Sequence, residues 1–160
     1  PGEIVVDDAD SDFASEAGEE EWLLHEDPEG QHYGDTHHYN ANVGAGADVA
    51  TWRFAVPQDG LYDVYAWWPE SPNRPTDVPY TVHHRDGADT IRVNQQTGGG
   101  QWNLLGTYTF SGEGAVTLCD EATDGRNIAA DAVRLVPVQA PDPGSPSAAP
   151  ERVSLPMVNP

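Results

Sequence analysis

The chain has 160 residues, 38% of them hydrophobic, and a formal charge of −20 from 27 acidic and 7 basic side chains. That length and apolar content bound it to one domain with a real core, plus a tail. The charge excludes a polyanionic partner such as nucleic acid or an anionic membrane surface, because neutralising phosphates needs clustered Lys and Arg. It suits divalent cations, basic partners or plain colloidal solubility.

Glycine (16) and proline (14) are scattered between short apolar runs, which favours strands over helices. Residues 3–7, EIVVD, read as a first strand, followed by an acidic segment to Glu21. Short pieces at residues 22–25 and 33–39 flank a His-rich loop. Val49 to Val56 is a clear strand with Ala50, Trp52, Phe54 and Val56 on one face. A turn at residues 57–60 leads into residues 61–68, where strict alternation puts Tyr62, Val64, Ala66 and Trp68 on the core side and Leu61, Asp63, Tyr65 and Trp67 on the other. Tyr80 and Val82 pattern one strand and Ile91 and Val93 its partner, across a tight turn at Asp86 and Gly87. Residues 104–110, 115–119 and 128–136 complete about nine strands. The expected fold is all-β: an antiparallel β-sandwich, jelly-roll-like, over residues 1–137.

From residue 138 the composition changes to a Pro, Ser and Ala linker that ends in the apolar residues Val153, Leu155, Met157 and Val158. Two roles are open for residues 152–158. They dock onto their own domain, or they add a strand to a neighbouring subunit, joining copies of the chain into rings or filaments. The single cysteine, Cys119, has no internal disulfide partner. The chain starts at Pro1 and carries no signal peptide or membrane span, which reads as a processed or excised product.

The segments WRFAVPQDGLYDVYAWW, NRPTDVPYTVHH, VNQQ, GGQWNLLGTYTF and ADAVRLVP, in that order, resemble the golvesin and xanthan-lyase C-terminal type of carbohydrate-binding-like module, over roughly residues 3–137. The resemblance implies the sandwich fold and an extracellular location, secreted or at the surface of a bacterial cell. It implies polysaccharide as the partner, with adhesion as the use.

Three groups of residues are candidates for a site. Sugar faces stack on Trp and Tyr, and carboxylates and amides bond their hydroxyls; Asp63, Tyr65 and Trp67 share one strand face, and Gln101 and Trp102 lie in the Gly-rich loop with Asn94, Gln95 and Gln96 nearby in sequence. The other reading of these aromatics is packing under loops or against a second subunit. A calcium ion is the second candidate. Asp8, Asp10, Asp12 and Glu19 have EF-hand spacing, but Phe13 stands where that loop needs Gly and no helices flank it. Carbohydrate-binding jelly rolls of the resembled kind instead tie an N-terminal carboxylate to an Asp near the last strand, which singles out Asp7, Asp8 and Asp131. Asp131 shares a face with Val133 and Leu135, so it is an inward carboxylate that needs either a cation or backbone donors.

The third group is His25, His32, His37, His38, His83 and His84, whose imidazoles suit zinc, copper or nickel. Their spacings match no standard pattern. His83 and His84 face opposite sides of one strand and read as structural, while His32, His37 and His38 read as a solvated loop. Catalysis has no support in the sequence: there is no GxSxG, P-loop or HExxH, no cysteine with an evident base, and nothing singles out two carboxylates for glycoside hydrolysis. The expectation is a non-enzymatic module.

Overall fold

In the computed structural model, which describes residues 2–27 and 30–138, every regular element is a strand. They are β1 (Ile4–Asp7), β2 (Phe13–Glu16), β3 (Leu23–Glu26), β4 (Thr36–Asn42), β5 (Val49–Ala55), β6 (Gly60–Trp67), β7 (Val78–His84), β8 (Gly87–Val93), β9 (Asn103–Phe110), β10 (Glu113–Cys119), β11 (Arg126–Ala130) and β12 (Ala132–Pro137). The strands pair antiparallel in three sheets, in the orders β1-β12-β6-β9, β2-β5-β10-β7-β8 and β11-β4-β3. Among the described residues no helix is long and apolar enough to cross a membrane.

Alternation places the core. Tyr62, Val64 and Ala66 of β6 are buried with Val133 and Leu135 of β12, and Ala50, Trp52 and Phe54 of β5 with Val116 and Leu118 of β10 and Val78, Tyr80 and Val82 of β7. The two inner faces interlock through rings: Phe54 meets Phe110 edge-on at 5.3 Å, and Tyr80 lies 6.1 Å from both Trp52 and Trp68. Offset and edge contacts of this kind add to the burial of large aromatic surfaces.

The described residues hold twelve strands, not about nine. The acidic segment contains β2, an edge strand anchored by Phe13, whose ring packs 5.4 Å from Trp52 and 5.0 Å from His38. The run 128–136 is two strands in two different sheets. The break is at Asp131, whose backbone carbonyl accepts from the Trp52 indole at 3.2 Å and whose carboxylate accepts from the Tyr33 N–H at 2.9 Å. Residues 128–133 are buried without a break, so no alternation in that run marks the change of sheet.

Candidate functional site

The outer face of β6 carries Asp63, Tyr65 and Trp67, all half-buried, and register sets Arg134 of β12 opposite Tyr65. Trp102 joins them because of a bulge. Between Val64 and Tyr65 the pairing with β9 shifts from Gly106 to Leu104, so Leu105 is the extra residue. Counting inward positions back from Phe110 by twos would turn Trp102 into the core; the bulge buries Leu105 instead and sends the residues before it to the other face. Trp102 then meets Trp67 edge-on at 5.3 Å.

Tyr33, in the loop between β3 and β4, completes the cluster, 5.6 Å from Trp67 and 5.2 Å from Trp102. The Trp67 indole N–H donates to the Gln31 carbonyl at 2.7 Å, tying that loop to the sheet. The Arg134 guanidinium lies 5.4 Å from the Tyr65 ring centre and 5.7 Å from that of Trp102, with its Nε 2.7 Å from Glu3. This is an aromatic surface with one guanidinium, paired to a carboxylate, on a strongly acidic protein. Asp63 accepts from the Thr107 hydroxyl at 2.6 Å, and Gln101 is exposed beside Trp102. Gly99 shapes the loop that leads there: any side chain at that position would run into the Glu70 backbone.

Sequence reasoning missed Tyr33, Gln31 and Arg134. Arg134 was readable, since it alternates outward between Val133 and Leu135; Tyr33 and Gln31, in a loop without period, carried no signal. The structure also corrects Gln95, which is fully buried and bonded to Ala129 and the Tyr80 hydroxyl, and so is withdrawn from any sugar. The apolar tail residues Val153, Leu155, Met157 and Val158 lie outside the described residues.

At one end of β1 and β12, a carboxylate oxygen from each of Asp7, Asp8 and Asp131 falls within 4.8 Å of the others. Asp8 is satisfied by the Thr36 hydroxyl at 3.0 Å and His38 Nδ1 at 2.9 Å. Asp131 is not: it is fully buried, and its Oδ1 has no hydrogen-bond partner. Burial pushes the Asp131 carboxyl well above the usual carboxylate range, and the neighbouring Asp7 and Asp8 charges push it further. Asp7 is raised too, by burial and then by Asp8. Three carboxylates held this close favour either a shared proton or a cation.

The histidine loop is not solvated throughout. His37 is 4% exposed and His32 is 9% exposed, and their rings stack at 4.8 Å. Burial, then the Arg74 charge, holds the His37 pKa down to about 2. His25 pairs with His37 across β3 and β4, their ring centres 5.1 Å apart. Beside them a cavity of about 240 Å³ is lined by His25, His37, Tyr39 and Arg74 among others. Arg74 is buried there and donates to the carbonyls of Pro69 and Asn127. His83 is bonded to Thr117 at 3.0 Å and His84 is stacked on Tyr108 at 4.9 Å.

Comparison with known proteins places this architecture. A xanthan lyase of Bacillus sp. (strain GL1) is 33% identical over 147 residues, which is 86% of this chain and 16% of that protein. The structure of a Paenibacillus xanthan lyase superposes with a TM-score of 0.79 at 38% identity, covering 86% of this chain and 13% of that one. A family 35 carbohydrate-binding module from Clostridium thermocellum shares the fold at 11% identity, with a TM-score of 0.62 over 83% of this chain and 98% of that module. Residues 4–137 match the model of the Golvesin C-terminal domain, and the chain belongs to that family.

Proposed function

We propose that this chain is a non-catalytic carbohydrate-binding module of an extracellular bacterial protein, and that it holds polysaccharide on the outer face of the β1-β12-β6-β9 sheet. The observation that carries the reading is the contact of Trp67, Trp102 and Tyr33, three rings on one face with the Arg134 guanidinium over Trp102 and Tyr65. Sugar rings present C–H faces that pack on such aromatics, and Arg134, Asp63 and Gln101 supply donors and acceptors for hydroxyl or carboxylate groups. Likeness to family 35 modules and to part of xanthan lyases is consistent with this use. Affinity electrophoresis through gels containing neutral or acidic polysaccharides, xanthan among them, tests it. Retardation by at least one, lost in Trp102→Ala, is the expected result.

We further propose that Asp7, Asp8 and Asp131 hold a structural calcium ion. Carboxylate oxygen is the ligand calcium takes, and the unpartnered Asp131 Oδ1 is a buried acceptor that a hard cation would satisfy. Asp7 ends β1, and Asp131 joins β11 to β12, so a bound ion would tie the N-terminal strand to the point where the chain changes sheets. Residues 1–137 are taken as the module and 138–160 as a linker. The Val138 N–H donates to the Leu61 carbonyl at 2.9 Å, in line with a module that runs at least to residue 137.

A further inference from the structure

We propose that His25, Asp27 and His32 form a second, chemically distinct metal site, selective for a borderline divalent ion of the zinc class. A ligand atom from each of the three lies within 4.8 Å of the others. The three come from separate points of one turn of chain: His25 from β3, Asp27 from the residue after it, and His32 from the loop that returns to β4.

The independent observation is His32. Its side chain is more than nine-tenths buried, yet its Nε2 has no hydrogen-bond partner. A Cβ on Gly30 would fall 2.7 Å from that Nε2 and 3.1 Å from Asp27 Oδ2, so the imidazole nitrogen and the carboxylate address the same small space beside the glycine. A buried, unpaired nitrogen lone pair is costly unless something fills it.

Tautomer logic supports a metal there. His32 Nδ1 is 2.9 Å from His37 Nδ1, and two Nδ1 atoms at that distance share one proton. If His32 carries it, His32 Nδ1–H donates to His37 and His32 Nε2 presents its lone pair to the space it shares with Asp27. That is the arrangement of a metal-ligating histidine, whose second nitrogen donates to an outer partner that fixes the ring. His37 is itself buried and backed by its pairing with His25, so it is a rigid acceptor.

Zinc bound by imidazole and carboxylate needs bonds of about 2.0–2.2 Å, hence ligand atoms roughly 3.3 Å apart in a tetrahedron. Closing to that spacing falls to the side chains of His25 and Asp27, which are exposed, while the buried His32 stays fixed. Two imidazoles disfavour calcium, which takes oxygen, and favour zinc, nickel or copper. The Asp7, Asp8 and Asp131 cluster offers only oxygen, so the two sites should sort ions by ligand type. The same loop carries Gln31 and Tyr33 onto Trp67, so an ion here would pin the segment that lies over the aromatic face.

The test is calorimetric titration of chelator-treated protein with zinc in calcium-saturated buffer, alongside cobalt(II) absorption as a report of ligand geometry. One equivalent of zinc is expected, with cobalt giving the intense visible bands of low coordination number. His25→Ala, an exposed change, should weaken zinc binding at least tenfold while leaving the melting temperature of the zinc-free protein unchanged; His32→Gln should do the same for zinc, and His83→Ala should change nothing. Absence of zinc uptake overturns the proposal. So does uptake that His25→Ala leaves undiminished.

Discussion

Gln95 completes the hydrogen bonding of Ala129 as a neighbouring strand would: its Oε1 accepts the Ala129 N–H at 2.9 Å and its Nε2 donates to the Ala129 carbonyl at 2.9 Å. Both residues are fully buried, and the same amide also reaches the Tyr80 hydroxyl at 3.2 Å. One side chain therefore docks the loop after β8 onto β11, two residues before Asp131. Replacing it with an apolar group of similar size strands an N–H and a carbonyl in the core. Gln95→Leu should cost about 2–4 kcal/mol, read as a shift in the urea midpoint.

Asp48 organises a second junction. Its carboxylate accepts the N–H groups of Gly18, Glu19 and Glu20 and the Asn40 amide, and the residue is almost fully buried. Burial alone would raise its pKa, but these donors outweigh it and hold the carboxyl below its ordinary value. A carboxyl that is more acidic folded than unfolded adds stability above the unfolded pKa, and that stability is lost as pH falls through the folded one. The wild type should therefore lose more stability between pH 6 and pH 3 than Asp48→Asn, which is weakened throughout. Denaturant midpoints across that range would check it; parallel curves for the two proteins would refute the assignment.

Asp131 should behave in opposite ways with and without calcium. In chelator Asp131, its pKa pushed up to about 9, must take up a proton to be buried, which costs stability at neutral pH, so Asp131→Asn, neutral at every pH, should melt at or above the wild type. In calcium the order should reverse, because an ion bound only to the native state stabilises by mass action, about 4 kcal/mol at a thousandfold excess over Kd. Thermal melts of both proteins in calcium and in chelator provide the measurement. A wild type indifferent to calcium rules the site out.

How much of this was legible follows from period and range. The residues of β6 read correctly at every position, because strict alternation with one charged outer face leaves a single solution. Phe13 and β2 were hidden, since a four-residue edge strand with one ring has no period to detect. Trp102 was found as an aromatic in a Gly-rich loop, but its facing depends on a bulge at Leu105 that no local pattern announces. Asp131 was singled out by its inward phase, and it is buried; the break it makes between β11 and β12 depends on Tyr33 and Trp52, both distant in sequence. The burial of His32 and His37 was missed for the same reason. Polar residues in a loop look solvated until the rest of the fold closes over them.

The claim that most needs testing is that the Trp67, Trp102 and Tyr33 face binds polysaccharide. Affinity electrophoresis of the wild type and Trp102→Ala, with melting temperatures measured alongside, tests it directly. Loss of a central stacking ring is worth about 2 kcal/mol or more, so association should fall roughly thirtyfold in Trp102→Ala with the sandwich still folded. Retardation that Trp102→Ala and Trp67→Ala leave unchanged, or no retardation by any polysaccharide, would contradict the account.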